Sequence, residues 1–503
     1  MTSAPFRLQE TTVAAIHSAY LAGEITCRQL TEWYLKRIDA YDLNGPAINS
    51  IVTVNPNALE EADALDAAFA ERGLTGPLHG IPVLMKDQVD TVGMPTTLGS
   101  VLFKDYFPDQ DATITTKLKE AGALLLAKTT LGEMGGGDTH GTLFGSTRNP
   151  YDLERTPGGS SGGSGAGISA NLGVIAVGQE GLASIRRPSA WNSIVGMRPT
   201  LGLVSRAGAF GGWPSRAGSL GPMTRTVEDT ARLLDVMVGY DPEDPSTAYG
   251  IGYAPASYTD FLKSDGLRGV RVGVIRQSMG WASEPDSDDY KKVTEVFDKA
   301  LSGLESAGAS IVDPVEIPDL DALLAKRMFE GTSESFMVWM NRSQNPPFGS
   351  YQDLLDNEEH QKIMWRRSGG RPSPFSGTHY EYLVAREELK GKVLTLMADY
   401  GLDVLVHKTT EHTPTLIRDG VNPPYVNQKG APHVNTYLFE VPSISVPAGF
   451  TSDDLPVGIT FLGRPFSDAS MIQYAYAFEQ ATRLRKVPAS TPPLSGEPGV
   501  GPY

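Results

Sequence analysis

The sequence predicts an α/β protein with a large mixed, mainly parallel-type central β-sheet covered by helices on both faces. Three observations point there. Short apolar runs such as "PVLM" (82–85), "ALLLA" (123–127) and "VIAVG" (174–178) alternate with longer segments of helical spacing. Those runs are apolar at consecutive positions, the pattern of strands buried on both faces. At 503 residues the chain exceeds one small core, and it reads as two to four domains or as one large α/β enzyme with insertions.

Residues 1–75 read as a helical segment packing on the core. Thr26 and Gln29 form a capping-box pattern, and Leu30, Trp33, Tyr34, Arg37 and Ile38 then recur at helical spacing. "NALEEADALDAAFAERG" (57–73) is a second helix, stopped by Gly73. The core is expected over 76–310. It begins with the strand-like "GIPVLMKD" (80–87), followed by a helix in "ATITTKLKEAG" and a strand in "ALLLAKT". "RVGVI" (271–275) continues the rhythm. Residues 311–400 have weaker strand signals and long mixed helices, as expected of an insertion that covers a site. The core resumes over 401–485 with "DVLVH", "PSISVPAGF" and "VGITFLG". Residues 486–503, rich in proline and glycine, are expected to be a flexible tail.

Composition narrows the functional classes. The formal net charge is −16, which argues against nucleic acid and anionic lipid as partners. The single cysteine, Cys27, excludes an intrachain disulfide and fits a cytoplasmic protein. "MTSAPFRLQETTV" lacks the apolar core of a secretory signal, and no apolar run approaches the roughly 20 residues of a membrane span. The eight histidines form no H-E-x-x-H or close Cys/His set, so neither metal nor cofactor is expected.

The chemistry concentrates in residues 156–186, "TPGGSSGGSGAGISANLGVIAVGQEGLASIR". A flexible linker is one reading, but regular α/β segments flank the stretch. A phosphate cradle needs Gly-Lys-Ser/Thr, and Ser164 follows Gly163 instead. "GGSSG" (158–162) matches the G-x-S-x-G elbow, yet the strand that must precede an elbow is missing. A serine activated by lysine is the remaining variant. Lysine accepts a proton only when neutral, and an apolar pocket lowers its pKa. Lys86, closing the apolar run "GIPVLM", is best placed for that, and no S-x-x-K occurs in the chain.

"GIPVLMKD", "TPGGSSGGSGAG" and "GQEGLASIRRPSAWNSIVGMRPTLGLVS" together resemble the amidase signature family, as do "STRNPYD", "GPMTRTVEDTARLLDVM" and "LPVGITFLGRPFSDASMIQYAYAFEQAT". The resemblance covers most of the chain and is weakest between about 280 and 400. It implies the amidase signature fold and a Ser–cis-Ser–Lys triad: Lys86 as base, Ser160 as relay after a cis peptide bond, and Ser184 as nucleophile. It also implies an oxyanion hole from the backbone N–H groups of Gly181, Leu182, Ala183 and Ser184. Leu182 and Ala183 stand where the family usually has two glycines, and Glu180, preceded by Gln179, where it has an aspartate. These departures read as a reshaped acyl pocket. Ser161 and Arg186 are expected to be structural near the site, with a surface charge the alternative for Arg186.

Phe210 and Trp213, in "AGAFGGWPS" (207–215), are candidate pocket residues, with ordinary loop packing as the alternative. By analogy with the family, Met134 and Gly135 face the substrate. The implied activity is hydrolysis of C–N bonds in small-molecule amides: carboxamides, aryl acylamides, peptide C-terminal amides or carbamates (a urethanase), with esterase side activity. Such a protein is expected to be a monomer or homodimer. The alternatives are the glutaminase (A) subunit of a tRNA-dependent amidotransferase and a catalytically silent binding relative.

Overall fold

The computed structural model describes residues 6–328, 333–367 and 378–499. The strands are β1 (Ile51–Val54), β2 (Pro82–Lys86), β3 (Leu124–Thr129), β4 (His140–Gly141), β5 (Gly145–Ser146), β6 (Ile175–Glu180), β7 (Val195–Arg198), β8 (Ser219–Thr224), β9 (Arg271–Ile275), β10 (Ser310–Val315), β11 (Val404–Lys408), β12 (Ser443–Phe450) and β13 (Pro456–Leu462). Eleven form one sheet in the order β1-β3-β2-β6-β8-β7-β12-β13-β11-β9-β10, while β4 and β5 form a small ribbon. Every residue of β2, β3, β6, β8, β11 and β13 is buried. Both faces of the sheet are therefore covered, as their uninterrupted apolar runs require.

The sheet is mixed, as expected, but parallel pairing does not predominate. It is confined to two blocks, β3-β2-β6 and β11-β9-β10. The other neighbours pair antiparallel. The reason is connection length: β12 turns into β13 through residues 451–455, too short for the crossover a parallel pair needs. Each parallel block has its crossover helix, such as Asp288–Ser306 between β9 and β10.

At the N-terminal end, helix Cys27–Arg37 carries the complete Thr26/Gln29 capping box, and helix Ala58–Arg72 ends at Gly73. The expected boundary at 310/311 falls inside β10, which belongs to the sheet. Its Ile311 and Val312 are followed by Asp313 and Pro314, which hide the strand in the sequence. Beyond it, the segment is helical, including Ser333–Met340, Tyr351–Leu355 and His379–Asp399.

The expected flexible tail is docked over residues 486–499. Glu497 forms a buried ion pair with Arg37 at 2.7 Å, Arg37 also donates to the carbonyls of Thr491 and Pro492, and Tyr41 donates to Pro492 O. Proline and glycine leave this segment without regular hydrogen bonds, and Arg37 satisfies its carbonyls instead. Residues 500–503 lie outside the described residues. Among the described residues, no helix is long and apolar enough to cross a membrane.

Candidate active site

The site lies at the carboxyl ends of the parallel block β3-β2-β6, where an open α/β sheet presents its loops. Lys86 is the last residue of β2, between β3 and β6, and is fully buried. Its Nζ donates to Ser160 Oγ at 2.7 Å and to Gln179 O at 3.3 Å. Burial drives the lysine pKa well below its ordinary value, and the Glu180 carboxylate offsets this only in part. Burial thus favours the uncharged form of the Lys86 amine.

The glycines around Ser160 serve close packing rather than flexibility. A Cβ on Gly159 would lie 2.3 Å from Gly137 O, and one on Gly163 would lie 2.4 Å from Thr130 O. The stretch is a buried turn running into helix Gly162–Ser169, so the linker reading is excluded. The Gly159–Ser160 peptide bond is cis. Gly132 N donates to Ser160 O at 2.9 Å, and Ser161 N donates to Ser184 O at 3.1 Å. Ser161 Oγ also bridges to the Gln179 backbone.

Ser184 is half-buried and opens onto a cavity of about 300 Å³. Among the described residues, no hydrogen bond joins its Oγ to Ser160 Oγ; the two serines are tied through the Ser161 backbone. The turn before Ser184 is held by Glu180, whose Oε2 accepts from Ile185 N at 3.0 Å and Arg186 N at 2.9 Å. Arg186 returns two side-chain bonds to Oε1. Burial pushes the Glu180 pKa up, but Arg186 and Arg198 outweigh it and hold the carboxyl below its usual range. Arg186 is buried and paired, so the surface-charge alternative is excluded. The N–H groups of Gly181, Leu182, Ala183 and Ser184 donate to no acceptor among the described residues. None of these residues has a positive φ, so the turn accommodates Leu182 and Ala183 without the backbone angles reserved for glycine.

Arg187 joins the pieces. Its guanidinium pairs with Asp138 at 2.8 Å and donates to Gly159 O at 2.8 Å and Gly137 O at 3.2 Å. It clamps the carbonyl preceding Ser160 to the loop that forms one cavity wall. Met134, in the left-handed region at φ 53°, and Gly135 lie on that wall. Phe210 is opposite, its carbonyl accepting from both Gln88 Nε2 at 2.9 Å and Gln179 Nε2 at 3.2 Å. The two glutamine side chains also bond each other.

Trp213, expected in the pocket, lines a neighbouring cavity instead. The remaining walls come from Phe336, Tyr351, Leu354, Tyr382 and Phe439, together with Arg327 and His360. No carboxylate lines the cavity among the described residues. These wall residues have no sequence signal, because their segment follows no motif. Arg187 lies next to Arg186 in the same run, though nothing local marks the carbonyls it holds. Among the described residues, no cluster of histidine, cysteine or carboxylate side chains suits a metal.

Residues 29–472 match the family model described as Amidase. The chain is 32% identical over 499 residues to the glutamyl-tRNA(Gln) amidotransferase A-chain protein of Thermoanaerobacter pseudethanolicus, covering 96% of this chain and 98% of that protein. Among solved structures it is similar to native peptide amidase from Stenotrophomonas maltophilia, with TM-score 0.80, 33% identity and coverage of 96% and 99%. It is also similar to a bacterial aryl acylamidase of the amidase signature family, with TM-score 0.75, 25% identity and coverage of 97% and 100%.

Proposed function

The chain belongs to the amidase family of hydrolases that act on C–N bonds, and on that premise we propose that it cleaves neutral small-molecule amides through an acyl-enzyme on Ser184. The observation that carries this reading is the 2.7 Å contact between buried Lys86 and Ser160, beside a Ser184 that opens onto the cavity.

In the proposed reaction the substrate carbonyl enters above the turn 181–184. Ser184 Oγ attacks the carbonyl carbon, and its proton passes to Ser160 as Ser160 gives its own to Lys86. Closing the gap between the two hydroxyls is part of forming the substrate complex, where such bonds tighten. The uncommitted N–H groups of the turn receive the oxyanion, each worth roughly 3–4 kcal/mol of barrier. The relay then returns the proton to the leaving nitrogen, the C–N bond breaks, and the amine departs. Water attacks the acyl-enzyme by the same route and releases the acid.

The lining supports an apolar or aryl acyl group, because aromatic and aliphatic side chains dominate it. Anilides, carboxamides, peptide C-terminal amides and carbamates all suit this arrangement, and esters follow as easier substrates. A second reading, the glutaminase component of an amidotransferase, is supported by the curated relative at 32% identity. It is less favoured by the walls: free glutamine carries an ammonium group, and no carboxylate faces the cavity among the described residues.

The test is fluorophosphonate labelling together with a screen of anilide, carboxamide, carbamate, ester and glutamine substrates, with Ser184→Ala as control. Labelling of wild type only, with anilide turnover by the lone chain, is the expected result. Absence of labelling overturns the mechanism. Glutamine-only turnover that needs co-purifying proteins selects the second reading.

A further inference from the structure

Behind the aromatic wall of the substrate cavity lies a second cavity, also of about 300 Å³, lined by Ala209, Trp213, Val338, Trp339 and Arg342 among others. The two cavities share their partition. Phe210 faces the first and its neighbour Ala209 the second; Phe336 faces the first, and Trp339, one turn along helix Ser333–Met340, faces the second. The Trp339 indole stands edge-on to Phe210, with ring centroids 5.3 Å apart at 80°, and it also contacts Phe336 at 6.4 Å. Phe103 and Tyr106 back it from the core.

The indole cannot swing aside without cost. Its Nε1 donates to Asp90 Oδ2 at 3.0 Å, in a buried contact that ties the covering segment to the loop leaving the strand of Lys86. The Trp339 side chain is 2% exposed. An aromatic wall with a fixed hydrogen bond is a rigid stop, whereas an aliphatic one would yield.

We propose that Trp339 is a specificity-determining residue: its indole holds in place the Phe210/Phe336 wall that ends the substrate cavity, and the space on its far side is a latent extension of the same site that stays closed to larger acyl groups while the indole backs that wall. This rests on the amide-hydrolase reading above. Trp213, whose place in the sequence suggests a pocket residue, then lines the extension rather than the working pocket.

The experiment measures kcat/KM for acyl anilides of increasing acyl bulk, using wild type, Trp339→Phe, Trp339→Leu and Asp90→Asn. In parallel, calorimetry measures binding of the corresponding free acids, which needs no turnover. Wild type is expected to lose activity sharply beyond a limiting acyl size. Trp339→Leu shifts that limit upward, raising the large-to-small ratio of kcat/KM by about tenfold or more, the scale on which apolar pockets discriminate by size. Trp339→Phe keeps the protein folded if leucine is not tolerated, and gives a smaller shift in the same direction. Asp90→Asn, which retains an oxygen acceptor for the indole, keeps the wild-type size limit. A uniform loss across the series in both tryptophan variants, with no change in the ratio, overturns the proposal, because a structural role alone predicts that. If wild type turns over no anilide yet Trp339→Leu binds larger acids, the wall stands and the amide-hydrolase reading falls. If neither turnover nor binding depends on acyl size, the wall is overturned.

Discussion

The floor and the cover of the cavity are built on different physics. The floor, from Lys86 through Ser160 to Ser184, is polar and almost wholly buried, and each of its side chains but Ser184 is fixed by short hydrogen bonds to strand ends. The cover, drawn from residues 333–367 and 378–382, meets the cavity largely with aromatic and aliphatic side chains held by packing and by hydrogen bonds such as Trp339 Nε1 to Asp90 and Tyr382 Oη to Thr436 O. Directional bonds hold reacting atoms to fractions of an ångström, which proton transfer needs. Dispersion contacts are short-ranged and non-directional, so they select by volume. On the proposed reading, reaction and selectivity are separable here, and substitutions in the two regions have different signatures.

The largest effect belongs to the floor. Ser184→Ala and Lys86→Met each lower kcat/KM by about 10⁴-fold or more, by the same factor for small and large substrates. Size-dependent losses in steady-state assays would join the two regions after all. The melting temperature of Lys86→Met is expected not to fall below that of wild type, because methionine fills the site without burying an amine.

Next in size is the pH response. In the proposed relay the working form of Lys86 is the free base, and burial depresses its pKa. Activity is therefore expected to be level above the folded-state pKa and to fall about tenfold per unit below it, at a pH well under the ordinary lysine range. A profile of kcat/KM against pH that is flat through the acid range contradicts this.

Arg187→Met removes the clamp on Gly159 O and costs about 10–100-fold in kcat with KM little changed, a loss on the scale of orienting partners. Arg187→Lys recovers part of the loss. If KM rises instead, Arg187 supports the cavity wall and not the serines. On the cover, Phe336→Ala is expected to raise KM for aryl amides about tenfold while kcat stays within about threefold, read from saturation curves. The smallest effect on catalysis comes from Glu497→Gln in the docked tail. It leaves Arg37 buried without its charge partner, lowering unfolding free energy by about 3 kcal/mol in denaturant titration with kcat unchanged.

Much of the floor is legible in the sequence because its requirements are local. A lysine closing an apolar strand and a dense run of glycines have short-range signatures, whereas Ser160 and Ser184 are picked out only through the resemblance to the amidase signature. Glu180 and Arg186 fall near the site by their place in the same run, though nothing local reveals that they pair with each other. Apolar runs report burial and not strand direction, so they overstate the parallel character of the sheet. Trp213 reads as a pocket residue because a loop sequence does not say which side of a wall its ring will face. The tail reads as flexible because prolines and glycines look the same whether solvated or docked against an arginine.

The amino-acid order alone settled the α/β class and most of the helical and strand segments, since each depends on spacing within a few residues, and its resemblance to the amidase signature pointed to Lys86, Ser160 and Ser184. Tertiary packing settled the rest: which carbonyls Arg187 holds, how Trp339 backs the Phe210/Phe336 wall, and how 486–499 is anchored. Those contacts join residues tens to hundreds of positions apart. No local pattern encodes them, because their energy exists only once the chain has brought both partners out of water.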